Sequence, residues 1–491
     1  MRATNSGVGT PMGGEHVDIY VNGKLQRAHS AARIPVINPA DEREFATIPD
    51  SDKEDVCAAV DAARAAFRSS GWPQLPPSER AKYLRRLARA IDKRAEQFGA
   101  VVTAQIGMPL ASSVQSSGSG TTKLYDYYAE LADELKVEYE RIGHGLRTVM
   151  RCEPVGVAAL IVPWNGPQGA IAWKLAPALA AGCTTVIKPP PEASLDSYLL
   201  AEALDEAEIP PGVVNIVFGG RETGALLASH PGVDKVSFTG STQAGRHVAL
   251  ACAERFARVT LELGGKSGAI LLDDADLDTF LPLVAPACIP FSGQICHALT
   301  RVLAPRSRYD EVVDGVASKM AALVVGDPLD PATQVGPLVA KRQLNRVEEY
   351  IASGRAQGAK IVTGGGRPPG LDVGYYVQPT VFRDVDSTMR IAQEEIFGPV
   401  VSVIPYDTED EAVAICNGTA YGLGGAVFTT NHERGMAVAR RIEAGVVGIN
   451  RYTLHIDAPF GGIKGSGLGR ELGPEGLAAF LESKSIFPPQ H

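Results

Sequence analysis

No cysteine in this chain has a second one three positions away. The seven thiols, at 57, 152, 183, 252, 288, 296 and 416, stand singly, which argues against a disulfide framework and against a structural zinc site. No stretch approaches the ~20 apolar residues that cross a bilayer, and the amino terminus lacks a basic segment leading into an apolar run. A soluble, cytoplasmic protein without a membrane partner is expected. Positive charge is not in excess either. Lys and Arg number 47 against 56 Asp and Glu, a net charge of −9, which excludes a phosphate-backbone partner such as nucleic acid. Internal repeats are lacking, and low complexity is confined to residues 1–14, a Gly-, Ser- and Thr-rich stretch expected to form a mobile tail. What is present is globular: 491 residues, 45% hydrophobic and 21% charged, enough for two or three domains with a large core.

Asn22-Gly23 between Asp18-Ile19-Tyr20-Val21 and Lys24-Leu25 predicts a tight hairpin. Two amphipathic helices follow, one striped by Val56, Val60, Ala63 and Phe67, the other by Leu84, Leu87, Ile91 and Phe98. From Val155 the texture becomes short apolar runs at 155–162, 184–188, 213–217 and 258–261, alternating with helical segments at 168–182, 195–207 and 221–229. Such alternation predicts a parallel sheet with helical crossovers. A second α/β texture runs from about 268 to 460, with strands at 302–303, 359–362, 401–404 and 445–449. Two lobes meeting near Glu262 and Cys296 place chemistry in a cleft, where small-molecule sites tend to lie. The segments 143–151 and 483–489 read as extended pieces outside both lobes, suited to pairing with another subunit or to lying on the surface.

Chemistry concentrates in Phe291-Ser292-Gly293-Gln294-Ile295-Cys296 and Leu261-Glu262-Leu263-Gly264-Gly265-Lys266. A thiolate attacks an electrophilic carbon to form a covalent intermediate, and a carboxylate deprotonates the water that later breaks it. Most lone cysteines are small buried hydrophobes, the reading that suits 57, 183, 252, 288 and 416. Two glycine turns, Phe218-Gly219-Gly220-Arg221-Glu222-Thr223-Gly224 and Phe238-Thr239-Gly240-Ser241-Thr242-Gln243-Ala244-Gly245, stand where a strand hands over to a helix. Neither is a strict GxGxxG. Each serves as plain turn chemistry or as a pyrophosphate cradle, and Ser241 as a helix cap or a phosphate ligand.

With Pro163-Trp164-Asn165, Lys188-Pro189-Pro190, Glu395-Ile396-Phe397-Gly398-Pro399 and Pro459-Phe460-Gly461-Gly462 added in this order, the chain resembles the aldehyde dehydrogenase superfamily from about residue 17 to the carboxyl terminus. The resemblance implies an α/β fold with a Rossmann-like nucleotide-binding domain (1–128 and 150–262), an α/β catalytic domain (263–477) and a small β oligomerisation element (129–149 and 478–491). It implies NAD(P)-dependent oxidation of an aldehyde to a carboxylic acid by a homodimer or homotetramer. Cys296 matches the catalytic thiol that carries a thiohemiacetal and then a thioester, Asn165 the oxyanion donor, and Glu262 the base for thioester hydrolysis. Lys174 and Glu471 match positions that relay protons to that base, and equally suit a structural ion pair. On the cofactor side Lys188 matches the adenosine-ribose ligand, Glu395 the nicotinamide-ribose carboxylate and Phe397 its aromatic neighbour. Ile161, Trp164, Gly220, Ala225, Gly240, Ser241 and Leu263 complete that set.

One departure concerns the ribose. The glutamate that many NAD-preferring members carry three residues after the lysine is here Pro191, with the carboxylate displaced to Glu192, which weakens the argument against a 2′-phosphate. NAD is the first expectation and NADP the second. A second departure is in the substrate funnel, where Gly166 and Ala170 replace bulkier side chains and Trp173, Ile295, His297, Tyr452, Leu454 and Phe460 supply the wall. A roomy site for medium-to-large hydrophobic or aromatic aldehydes follows, with His297 as wall rather than base, since adjacent side chains diverge. The alternatives are a coenzyme-A-acylating semialdehyde dehydrogenase, which typically lacks the base glutamate, and a catalytically silent dinucleotide-binding member of the fold.

Overall fold

The computed structural model describes residues 12–489, so most of the expected 1–14 tail, and the last two residues, lie outside it. Gly14 already belongs to a strand, Gly14–Glu15, paired with Ala46 and Thr47. The hairpin forms as expected. Strands Asp18–Val21 and Lys24–Arg27 pair across Asn22 (φ 54°) and Gly23 (φ 73°), the two left-handed residues that a two-residue turn of this hand needs.

Two sheets organise the molecule. The first has eight strands in the order Gly467–Leu468, Arg258–Glu262, Lys235–Thr239, Val157–Ile161, Thr184–Lys188, Val214–Ile216, Asp18–Val21, Lys24–Arg27. Its five central strands are parallel, and Val157–Ile161 and Thr184–Lys188 are buried along their whole length, as strands covered by helices on both faces must be. Helices Pro167–Ala181, Asp196–Glu206, Arg221–Ser229 and Thr242–Ala253 make the crossovers. From Val157–Ile161 the chain builds outward in one direction, then returns to build Lys235–Thr239 and Arg258–Glu262 on the other side. The crevice beyond the carboxyl ends of Val157–Ile161 and Lys235–Thr239, where the order reverses, is therefore a topological switch point, the usual place for a ligand in an open parallel sheet.

The second sheet has seven strands, ordered Lys360–Thr363, Thr380–Arg383, Val400–Tyr406, Arg301–Pro305, Gly268–Leu271, Gly424–Phe428, Val446–Ile449, all parallel except the first pair. One short strand crosses between the lobes. Gly467–Leu468 comes from the 263–477 segment yet pairs with Glu262 and Leu261 at the edge of the first sheet.

Three details depart from the sequence reading. The stripe Leu84, Leu87, Ile91, Phe98 belongs to two helices, Pro77–Asp92 and Ala95–Ile106, with a break between them that leaves all four side chains buried. Two further helices, Leu110–Ser117 and Ser119–Glu134, were not foreseen; the second packs on Pro77–Asp92 and Pro167–Ala181 and straddles the border expected at 128 and 129. Finally, the extended pieces pair with each other: Leu481–Ile486 and Glu138–Gly143 flank Leu146–Pro154 in an antiparallel three-stranded sheet. Both outer strands leave an edge open, and Ile142, Leu146, Ile486 and Phe487 are exposed there.

Candidate active site

The segment that carries Cys296 is bent by three consecutive left-handed residues, Phe291 (φ 45°), Ser292 (φ 54°) and Gly293 (φ 75°). For the two that have a Cβ this conformation costs about 1–2 kcal/mol each, so the surroundings must hold it. Ser292 Oγ donates to the Gly336 carbonyl at 2.9 Å, and Gln294 Oε1 accepts from the Val339 N–H at 3.1 Å. Gly293 has no room for a side chain, since a Cβ would stand 2.1 Å from the Gly398 carbonyl oxygen. Gly265 is packed as tightly on the nucleophile itself: a Cβ there would stand 2.3 Å from the Cys296 carbonyl oxygen. Cys296 is thus seated on backbone, half-buried, at the end of a strained and well-tied loop.

Burial raises the Cys296 thiol above the ordinary thiol range, and the carboxylates of Glu395 and Glu262 add to the effect. Asn165 Nδ2 donates to the Gln294 carbonyl at 2.8 Å. One amide hydrogen is spent on the loop that leads to Cys296, and the second has no protein acceptor among the described residues.

Glu262 ends strand Arg258–Glu262, fully within the fold at 2% exposure, and neither of its carboxylate oxygens has a hydrogen-bond partner. Burial pushes its pKa well above the usual carboxylate range, and the neighbouring Glu471 pushes the same way against Lys174 and Arg470. An uncompensated buried carboxyl of this kind marks a functional site more often than a structural one. Behind it, Lys174 forms a buried ion pair with Glu471 and donates to Thr239 Oγ1 at 2.7 Å, while Ser237 Oγ donates to Glu471 Oε1 at 3.0 Å. The ion pair expected as one of the two readings is formed, and its charges act on Glu262.

The crevice at the switch point holds most of the expected cofactor residues. Ile161 ends its strand there and Trp164 follows, edge-on to Phe397 with ring centres 5.3 Å apart. Gly240 and the exposed Ser241 open helix Thr242–Ala253, and Ser241 Oγ accepts from the Ala244 N–H, so it acts as the cap. Leu263 packs against Gly245. Lys188 is buried, its ammonium donating to the carbonyls of Pro189 (2.7 Å) and Gly219 (2.8 Å), and burial lowers its pKa to about 8. The Gly220 N–H is taken by Asp50 Oδ1 at 3.1 Å, whereas Ala225, a turn further along helix Arg221–Ser229, is exposed. Glu395 Oε1 accepts from the Gly265 N–H at 2.9 Å, with burial raising its pKa to about 7. Glu192 pairs with Arg342 at 2.6 Å.

A cavity of about 330 Å³ is lined by Val446, Arg451, Tyr452, Leu454, His455 and Phe460 among others, and two of these, Tyr452 and Phe460, touch His297, the residue after Cys296. Trp173 packs edge-on against Phe460 (5.1 Å, 70°), and His297 lies against both Phe460 (5.8 Å) and Tyr452 (5.7 Å). Tyr452 OH donates to the His297 carbonyl at 2.8 Å. Burial lowers the His297 pKa to about 4, so the imidazole is neutral at ordinary pH. Of the expected pocket residues only Tyr452, Leu454 and Phe460 line this cavity; Gly166, Ala170, Trp173, Ile295 and His297 are half-buried and lie outside its lining, and a Cβ at Gly166 would meet nothing within 4 Å.

Four contributors were not singled out from the sequence. Gly461, inside the quoted Pro459-Phe460-Gly461-Gly462 run, leaves space for Glu262, whose Oε1 would lie 2.5 Å from a Cβ there. Gln343 holds the Glu395 loop through the carbonyls of Ile396 (3.1 Å) and Phe397 (2.7 Å). Ser466 Oγ donates to the Gly264 carbonyl at 2.6 Å. Arg342 is the fourth, and only its distance to Glu192 in space reveals it.

A half-buried thiol and an unpaired buried carboxyl stand beside a switch-point crevice, and the chain belongs to the aldehyde dehydrogenase family, whose model matches residues 26–486. It is similar to geranial dehydrogenase of Castellaniella defragrans, 48% identical over 96% of this chain and 99% of the relative. The 3-succinoylsemialdehyde-pyridine dehydrogenase of a Pseudomonas species is 43% identical over 96% of this chain and 98% of that protein. Among solved structures, an aldehyde dehydrogenase of Mycobacterium tuberculosis complexed with NAD+ superposes with a TM-score of 0.95 at 44% identity, over 97% of this chain and 99% of that one. A mutant of aldehyde dehydrogenase C from Pseudomonas syringae, complexed with NAD+ and octanal, gives 0.93 at 42% identity, over 96% and 97%.

Proposed function

We propose that this chain oxidises medium-to-large hydrophobic or aromatic aldehydes to carboxylic acids, with NAD as the electron acceptor. The observation that carries the reading is Glu262, a buried carboxyl with two unpartnered oxygens beside the only expected nucleophile. Substrate class is supported by the Val446, Tyr452, Leu454 and Phe460 side of the cavity, whose rim also carries Arg451 and His455, and by the relatives, one named for geranial and one solved with octanal.

The residues present fit a dinucleotide. Lys188 is a buried cation at the end of a central strand, the first turn of helix Thr242–Ala253 is open to the crevice at Gly240 and Ser241, and Trp164 with Phe397 forms an aromatic wall. When bound, NAD supplies the hydride acceptor. Cys296 Sγ attacks the aldehyde carbon after losing its proton, giving a thiohemiacetal whose oxyanion takes the free Asn165 amide hydrogen and the Cys296 N–H, donors of a kind that contribute roughly 3–4 kcal/mol each. Oxidation leaves a thioester on Cys296. Glu262, once ionised, takes a proton from the water that attacks it, and the acid departs with Cys296 restored. Lys174 and Glu471 set the charge around Glu262 and pass its proton on. The seven cysteines, free among the described residues, suit a reducing cytoplasm. The exposed apolar side chains at the open three-stranded sheet suit a homodimer or homotetramer.

A panel of geranial, octanal, benzaldehyde and acetaldehyde with NAD tests this, with the product identified by mass. Free acid and a kcat/KM that rises with apolar size are expected, by about 0.8 kcal/mol per buried methylene. A preference for acetaldehyde, or a product that forms only as a coenzyme A thioester, refutes it.

A further inference from the structure

Glu192 and Arg342 come from different lobes. Glu192 lies in the turn after strand Thr184–Lys188, and Arg342 in the first turn of helix Lys341–Ala356. Their contact is 2.6 Å from Arg342 Nη2 to Glu192 Oε1, with Glu192 mostly covered at 20% side-chain exposure and Arg342 open at 60%. Among the described residues no other ion pair or hydrogen bond holds this guanidinium. Glu192 is also, with Asp50, one of the two carboxylates whose charge acts on the buried ammonium of Lys188. Lys188, Glu192 and Arg342 therefore form one charged group at the flank of the crevice, beside the Gly219-Gly220 turn.

A lone carboxylate at a ribose accepts from the 2′-hydroxyl and repels a 2′-phosphate. Here the carboxylate is displaced by one position and already neutralised by an arginine whose remaining N–H groups face solvent. A guanidinium presents a fork that matches a phosphate and can take two of its oxygens at once. We infer that Arg342 is the residue that reads the 2′ position: its guanidinium releases Glu192 and donates to a 2′-phosphate, so that this chain binds NADP as well as NAD. No bond is made or broken in this exchange, only one anion replaced by another on Arg342. The inference rests on the reading of the crevice as the dinucleotide site.

Calorimetric titration of the full-length protein with NAD, NADP, 5′-AMP and 2′,5′-ADP tests it without turnover. The wild type should bind NADP within about tenfold of NAD. In Arg342→Ala the ratio Kd(NADP)/Kd(NAD) should rise at least about tenfold, as expected for loss of a charge-assisted contact, with 2′,5′-ADP against 5′-AMP moving the same way. Glu192→Gln, which frees Arg342, should lower the ratio, and Arg342→Lys should fall between. Wild type that binds NAD and not NADP, or a ratio unchanged within twofold in Arg342→Ala, overturns the assignment of Arg342 while the dinucleotide site stands. Wild type that binds none of the four removes the site reading and this inference with it. Circular dichroism of each variant separates lost binding from lost folding.

Discussion

On the proposed reading, Glu262 sets the pH behaviour of the site. A group whose pKa is raised on folding is bound more tightly by a proton in the folded chain than in the unfolded one. Its protonated form favours the fold, and that contribution is present below the ordinary glutamate value and is lost as pH rises through the raised one. Chemistry runs the other way, because only the ionised form is a base. Thioester hydrolysis should therefore climb with pH beyond the ordinary carboxylate range, while the melting midpoint declines. Glu262→Gln should slow hydrolysis by roughly 10²–10⁴-fold, and mass spectrometry after one turnover should find an acyl group on Cys296. The same variant should melt higher than wild type at pH 8 and show no such gain at pH 4; an equal gain at both would mean that ionised Glu262 is not what destabilises the fold. His297, neutral down to about 4, should leave the profile between pH 5 and 8 unchanged when replaced by Asn.

At the scale of elements, the nucleophile loop is placed by what its neighbours leave out. Gly265→Ala puts a methyl group 2.3 Å from the Cys296 carbonyl oxygen, and both partners are backbone, so one of them must move. A displacement near 1 Å at a reacting atom costs on the order of 10²-fold in rate. A loss of that size in kcat/KM with an unchanged circular dichroism spectrum is expected; full activity would show that the loop tolerates the shift. Elements with one strong pattern were legible in the sequence: the parallel strands from uninterrupted apolar runs, the hairpin from Asn22-Gly23, the helices from their stripes. Leu110–Ser117 and Ser119–Glu134 were not, because Ser and Thr are frequent in their first turns and the helical state is stabilised by packing, the first on Ala95–Ile106 and the second on Pro77–Asp92 and Pro167–Ala181. Cys296, Glu262 and Asn165 stood out because their motifs are local. Arg342 did not, since its meaning depends on a carboxylate in the other lobe, and Gly461 was legible only as part of a motif whose geometric reason needs Glu262 in place.

For the whole molecule, the three-stranded sheet is the exposed frontier. Glu138–Gly143 and Leu481–Ile486 both present unpaired edges, with Ile142 at 78% and Phe487 at 77% exposure, a combination that invites pairing with a second copy. Ile142→Glu together with Phe487→Glu should lower the mass seen by analytical ultracentrifugation, whereas an unchanged mass would move the interface elsewhere. The border between lobes proved less simple than a cut at 262 and 263. The strand Gly467–Leu468 returns to the first sheet and pairs with Glu262 itself, and the Phe460 to Glu471 bridge, which closes around it, joins the cavity wall to the charge behind Glu262. Recombination between family members would feel this directly. A hybrid that takes its cavity from one parent and its crevice from another inherits a base whose edge partner was shaped for a different sheet, unless residues 460–472 travel with the crevice. The unit of exchange in such an enzyme is the pair of strands that meet at Glu262, however many residues of chain lie between them.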